Sequence, residues 1–323
     1  MKVYPIKFNP ILKERIWGGE KLMKTFKKDS KKSNIGESWE ISDVKGDVSI
    51  VSNGIFQGRS LKELISEFKG EFVGHRVYNL FGDNFPILIK FIDAKTPLSI
   101  QVHPNNELAR KRHNSFGKNE MWYVMDVEND GELVVGFNKE VTKLQYVNAL
   151  QTGKILDILN LEKVRKGDTF YIPTGRVHAI GAGTVIAEVQ QTSDITYRIY
   201  DYERVDVTTG EPRELHTDLA IDAIDYSLSS DYKANYELRE NKFTQLVHSP
   251  YFKTDILKLK GCVNLNYKNT DSFIIYMCVE GMFSIVCDGE KTNVNIGETI
   301  MLPATTQEVI VNSENAMVLE VTL

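Results

Sequence analysis

The sequence predicts a mainly β protein: two tandem β-rolls of the jelly-roll kind, with short helices added outside. Apolar residues fall mostly in runs of four to nine rich in Val, Ile, Tyr, Phe and Trp, separated by brief Gly, Asp, Asn and Pro punctuation. One stretch recurs at an offset of 130, as GDTFYIP at 167–173 and GETIMLP at 297–303, each preceded by a matching hairpin at 120–137 and 272–289. Helical spacing is confined to a few short segments.

In chain order, KLMKTFKKDSKK at 21–32 holds six lysines with almost no aromatic interleaving and reads as a solvated helix or loop face. IGESWEISD at 35–43 alternates as a strand does, which makes Glu37, Trp39 and Glu40 architecture, with Trp39 in the core. Over 60–81, Leu61, Leu64, Ile65, Phe68, Phe72, Val73 and Val77 recur at helical spacing, and Gly70 and Gly74 interrupt them, predicting one or two short helices. Strands follow at 86–95 and 98–103, a helix at 105–113, and a strand pair at 120–128 and 131–137. A helix at 139–152, strands at 169–173 and 184–191 and a helix at 214–224 complete the first half. A length of 323 residues is about twice a typical domain of roughly 150. The expected division is a domain at 1–240, carrying N-terminal strands and helical additions, and a second roll at 241–323. Five residues beyond the proline of each repeat stand His178 and Glu308, so the second copy is expected to be structural and without a metal site.

Composition excludes several classes of function. The 42% hydrophobic and 26% charged shares are globular, and no apolar run approaches the roughly 20 residues of a membrane helix. A net charge of -5 has the wrong sign for nucleic acid or anionic lipid, so neither is an expected partner. Cys262, Cys278 and Cys287 have no paired spacing and read as small hydrophobes of the C-terminal strands. The N-terminus has no signal-peptide pattern, and a cytoplasmic location is expected.

In LSIQVHP the alternation of a strand points Ser99, Gln101 and His103 one way and Ile100 and Val102 the other. A polar triplet facing inward is costly unless something satisfies it. Glu120 opens the aromatic strand EMWYVM with Lys118 on its face, and His178 follows a turn enforced by Pro173 and Gly175. Two imidazoles and one carboxylate, with Gln101 as a carboxamide, suit a divalent ion. The same set describes catalytic zinc and non-haem iron oxygenases. His75, His113, His216 and His248 stand without such partners and read as structural or surface residues.

Gly167, Pro173, Gly175 and His178, as G-x5-P-x-G-x2-H, resemble the second signature of the cupin superfamily. More narrowly, FNPILKERIWGG, IGESWEISD, PLSIQVHP, Lys118-x-Glu120, and HAIGAG followed by Glu188 and SDITYR resemble type I mannose-6-phosphate isomerase, with the short spacing of its bacterial form. The resemblance covers nearly the whole chain. It implies two cupin-like rolls and one zinc ion held by Gln101, His103, Glu120 and His178. It further implies Arg198 as a catalytic residue and the interconversion of mannose 6-phosphate and fructose 6-phosphate.

That reaction moves a proton between adjacent carbons through an enediolate, which a fixed cation stabilises. Arg198 suits this because guanidinium stays charged and presents a rigid fork of donors. Without the resemblance, a surface ion pair with Asp201 or Glu203 is the plainer account of that residue. Glu188 and Lys118 are both candidates to carry the proton, and Ser99 with Lys118 to hold the phosphate. Two rivals remain open at this level: an iron dioxygenase with the same ligands, and a non-catalytic sugar-binding protein of two cupins. A monomer or weak homodimer is expected.

Overall fold

Strand propensity and alternation become two β-rolls in the computed structural model, which describes residues 3–128, 130–206, 209–229 and 231–323. The chain runs β1 (Ile11–Gly19), α1 (Lys21–Lys24), β2 (Ile35–Ile41) and a small hairpin, β3 (Asp43–Val44) with β4 (Asp47–Val48). Then come α2 (Leu61–Phe68), α3 (Gly70–Val73) and α4 (His75–Phe81). A capping box of Ser60 and Glu63 starts α2, and its Leu61, Leu64 and Ile65 are buried. The helical pattern at 60–81 thus resolves into three short helices. Gly74 forces the second break: its φ is +101°, and a Cβ there would lie 2.5 Å from the Asp271 carbonyl oxygen.

The first roll continues with β5 (Ile87–Ala94), β6 (Ile100–Val102), α5 (Asn106–His113), β7 (Glu120–Val127), β8 (Glu132–Phe137), α6 (Lys143–Gln151) and β9 (Leu159–Lys163). It closes with β10 (Thr169–Ile172), β11 (His178–Ile180), β12 (Thr184–Gln191), β13 (Tyr197–Tyr200) and α7 (Thr217–Ala223). One sheet has the order β1-β2-β5-β12-β7-β10, the facing one β13-β6-β11-β8-β9. Trp17, Ile92, Trp122, Val135, Phe170 and Ile180 pack between them. The outer face of the larger sheet is covered too. Ile87, Ile89, Phe91, Met121 and Val189 pack in one core with Phe72 of α3 and with Phe252, Phe273 and Leu319 of the C-terminal segment. That double burial explains why all eight residues of β5 are buried. Against the smaller sheet's outer face lie α6 and α7, through Tyr146 and Ala220.

The second roll comprises β14 (Phe243–His248), β15 (Lys253–Asn266), β16 (Ile274–Cys287), β17 (Glu290–Asn295), β18 (Thr299–Leu302) and β19 (Glu308–Thr322). Its order is β14-β15-β19-β16-β17, with β18 on β16. The two recurring motifs take matching places, β10 antiparallel to β7 and β18 antiparallel to β16. No helix is long and apolar enough to cross a membrane among the described residues.

The lysine-rich stretch departs from its predicted solvation at one position. Lys28 is 8% exposed, and its ammonium lies 2.7 and 2.8 Å from the two carboxylate oxygens of Glu40. Composition cannot distinguish this lysine from its neighbours, because its partner comes from another element.

Candidate active site

Three short strands and one turn bring the predicted ligands together. Gln101 on β6 stands directly opposite His178 on β11, while Glu120 opens β7. His103 follows β6, where its carbonyl accepts the Gly175 N–H at 3.0 Å. Gly175 has φ +89°, so the turn that delivers His178 is tied to the segment that delivers His103.

Each imidazole is fixed from behind. The Nδ1–H of His103 donates to the Ile195 carbonyl at 2.9 Å, and that of His178 to the Arg176 carbonyl at 2.8 Å. Both bare Nε2 atoms therefore face Glu120, at 3.3 Å from Oε1 and 3.7 Å from Oε2. The three ligand atoms lie within 4.8 Å of one another, and the side chains are 1% exposed or less. The Gln101 amide nitrogen is 3.2 Å from His178 Nε2, which sets Gln101 beside the three. Glu120 Oε2 is buried without a hydrogen-bond partner. The Lys118 ammonium bonds to Glu120 Oε1 and lies 3.2 Å from His103 Nε2.

The electrostatics match a site built to receive positive charge. Burial lowers the His103 pKa to about 3, with Lys118 adding to the effect, and burial lowers His178 as well, so both rings are neutral donors. Burial works to raise the Glu120 pKa, but the Lys118 charge beside it outweighs burial and holds the carboxyl well below its usual range. The residues present fit a divalent ion: two imidazole nitrogens, a carboxylate with an unspent oxygen and a carboxamide.

In front of this cluster lies a cavity of about 340 Å³, the size of a small-ligand site. Ser99, Gln101, Lys118, Glu188 and Arg198 all line it. Arg198, on β13, faces Gln101 across the β6 ladder, so the two side chains share a face. It is not spent on the surface pair that local sequence suggests. Asp201 instead takes Arg204 at 2.5 Å and Arg213 at 2.6 and 2.8 Å, leaving the Arg198 Nε buried and without a partner. Glu188 accepts the Trp122 indole N–H at 2.9 Å, and the Lys90 ammonium stands 3.3 Å from its other oxygen. Burial raises the Glu188 pKa, and the Glu120 charge adds to it.

Sequence reasoning misses five charged cavity residues. Arg15, Glu37, Lys90, Asp194 and Arg213 line the same space. Glu37 is held by Arg15 at 2.8 and 3.2 Å and by the Trp39 indole at 2.6 Å, with Lys90 at 3.9 Å. Burial opposes its ionisation, yet Lys90 and Arg15 together lower its pKa to about 2. Glu37 is therefore part of the site as well as of the architecture. A signal existed in the alternation of IKFIDA, which puts Lys90 on the inward face beside Ile92.

Comparison with known proteins places the chain in a family. Residues 6–147 match the family profile of the type I phosphomannose isomerase catalytic domain, and residues 242–321 that of the mannose-6-phosphate isomerase cupin domain. Over 306 residues the chain is 36% identical to a mannose-6-phosphate isomerase of Bacillus subtilis strain 168, covering 94% of each chain. Over another 306 it is 33% identical to that of Streptococcus mutans, covering 93% of each. The crystal structure of the mannose 6-phosphate isomerase from Bacillus subtilis superposes with a TM-score of 0.88 at 31% identity, over 99% of both chains. On this agreement of sequence and fold, the chain is an enzyme that belongs to the type I mannose-6-phosphate isomerase family.

Proposed function

We propose that this enzyme interconverts mannose 6-phosphate and fructose 6-phosphate through an enediolate, with one zinc ion held by Gln101, His103, Glu120 and His178. The observation that carries the reading is the unspent Glu120 oxygen between two fixed imidazole nitrogens, at the foot of a cavity lined by more cations than carboxylates. A divalent ion held there would supply Lewis acidity toward the sugar oxygens.

The chain's own residues do the rest. Glu188, buried and with its pKa raised by burial, takes the proton from C2 and returns it at C1, while the hydroxyl proton of O2 passes to O1. Lys118 is committed to Glu120 and His103, and its pKa is raised because Glu120 outweighs burial. It stays charged, which disfavours it as the base and places its charge at the reacting end rather than on the phosphate. Arg198 supplies a second fixed charge for the enediolate oxygens. Arg213, braced on Asp201, and the Ser99 hydroxyl offer donors to the phosphate. An iron dioxygenase has no use for these cations. In the same reading, residues 1–240 form the catalytic domain, 241–323 a roll without metal, and the enzyme works in the cytoplasm.

Dialysis against a chelator should abolish interconversion in a coupled assay, and zinc should restore it, with elemental analysis finding one ion per chain. Full turnover by metal-free protein would defeat the proposal.

A further inference from the structure

Arg198 lies on β13, the strand that ends the five-stranded sheet. One side of β13 pairs with β6, and among the described residues no strand pairs with the other. The segment before α7 closes that open side. The His216 N–H donates to the Arg198 carbonyl at 2.7 Å, and the Arg198 guanidinium donates through Nη1 to the Glu214 carbonyl at 2.7 Å. The Arg198 N–H, which a neighbouring strand's carbonyl would ordinarily take, donates instead to the His216 ring at Nδ1, 3.1 Å away. Only a bare ring nitrogen accepts a hydrogen bond, so the ring carries its proton on Nε2 and is neutral. Burial favours that neutral form, and the Arg198 charge beside it adds to the effect.

We propose that His216 is a positioning residue for Arg198. Its bare Nδ1 fixes the backbone of β13 so that the guanidinium is held over the cavity. The inference rests on the reading of Arg198 given above. It also explains why an imidazole stands here: a plain helix-start residue would do if α7 were all it served, and the His216 side chain makes no capping bond to α7.

The test is a double-mutant cycle with a rescue. His216→Ala should lower kcat for mannose 6-phosphate about tenfold, the worth of one hydrogen bond, with KM changed less than threefold. His216→Asn, whose Oδ1 stands where Nδ1 stood and accepts the same N–H, should recover activity to within about threefold of wild type. In an Arg198→Ala background, His216→Ala should cost nothing further. Hydrogen exchange at the Arg198 amide should speed in His216→Ala and stay slow in His216→Asn. If His216→Ala does not fold, His216→Gln takes its place, since it keeps a polar side chain but carries its acceptor one bond too far. A normal rate in the acceptor-less variant, with Arg198→Ala crippled, overturns the inference alone. So does an equal cost in both backgrounds, which marks a purely structural role. A normal rate in Arg198→Ala overturns the reading of Arg198 and this inference together.

Discussion

Glu120 Oε2 is the atom on which the metal assignment turns. Leaving a carboxylate oxygen buried and unpaired costs on the order of 1–3 kcal/mol or more, and the neighbouring imidazoles cannot satisfy it, because each has spent its ring N–H on a backbone carbonyl. A cation relieves the cost. His103→Ala and Glu120→Gln should therefore each reduce bound zinc to a small fraction of one ion per chain. Arg198→Ala should retain zinc and lose roughly 10²–10³ in kcat, the usual cost of removing one fixed stabiliser of developing charge. Elemental analysis beside the coupled assay separates the two classes, and full zinc occupancy in both ligand variants would remove the quartet. At this scale the sequence is most legible where a polar residue interrupts an apolar alternation, as Gln101 and His103 do in LSIQVHP. His216 shows the limit: its partner is a backbone N–H 18 residues upstream, which no spacing rule marks.

At the scale of the element, β2 carries two buried glutamates to opposite sides of its sheet. Glu37 faces the cavity with Trp39, while Glu40 faces away with Ser38 and closes on Lys28. Alternation in GESWEIS predicts a strand with these opposed faces, and the strand is there. Which glutamate belongs to chemistry is invisible from the sequence, because it depends on cross-strand neighbours. Arg15 comes from β1 and Lys90 from β5, and their registers are set only when the sheet forms. The Lys28–Glu40 pair has side chains 6% and 5% exposed, so losing one partner strands a buried charge. Lys28→Met should destabilise the fold by about 3–5 kcal/mol. Lys28→Met with Glu40→Leu should recover most of that, since an apolar pair of similar volume avoids the desolvation cost. Urea unfolding of the three proteins measures both, and a single variant as stable as wild type would show the pair to be idle.

Across the whole molecule, the strand registers show what became of the second copy. In the first roll Phe170, Trp122, Glu188 and Lys90 follow one another across the sheet, and in the second Ile300, Tyr276, Glu320 and Asp255 do the same. By the same registers Ile274 stands where Glu120 does, and the pair Asn266 and Glu308 where Gln101 and His178 do. Lys268, two residues past Asn266, bonds to Glu308 at 2.6 Å, so an exposed ion pair replaces the imidazoles. The sequence repeat makes the paired motifs and the change from His178 to Glu308 legible, but not the surroundings of the carboxylate that matches Glu188. Glu320 keeps the place of Glu188 while facing an aspartate where Glu188 has Lys90. Burial raises its pKa to about 7, partly offset by hydrogen bonds from Tyr267 and Tyr276 and reinforced by Asp255. The ordinary value is 4.5, so the folded state holds a proton that the unfolded chain releases between pH 4.5 and 7. Stability from this group is thus complete below pH 4.5 and is lost as pH rises to 7, a change of about 3 kcal/mol. Glu320→Gln, which keeps the shape without the ionisation, should match wild type near pH 4.5. It should become more stable than wild type by about 3 kcal/mol at pH 8. Denaturation of both proteins at the two pH values reads the difference directly, and a gap that does not change with pH would show that Glu320 is ionised throughout or exchanges its proton without cost to the fold.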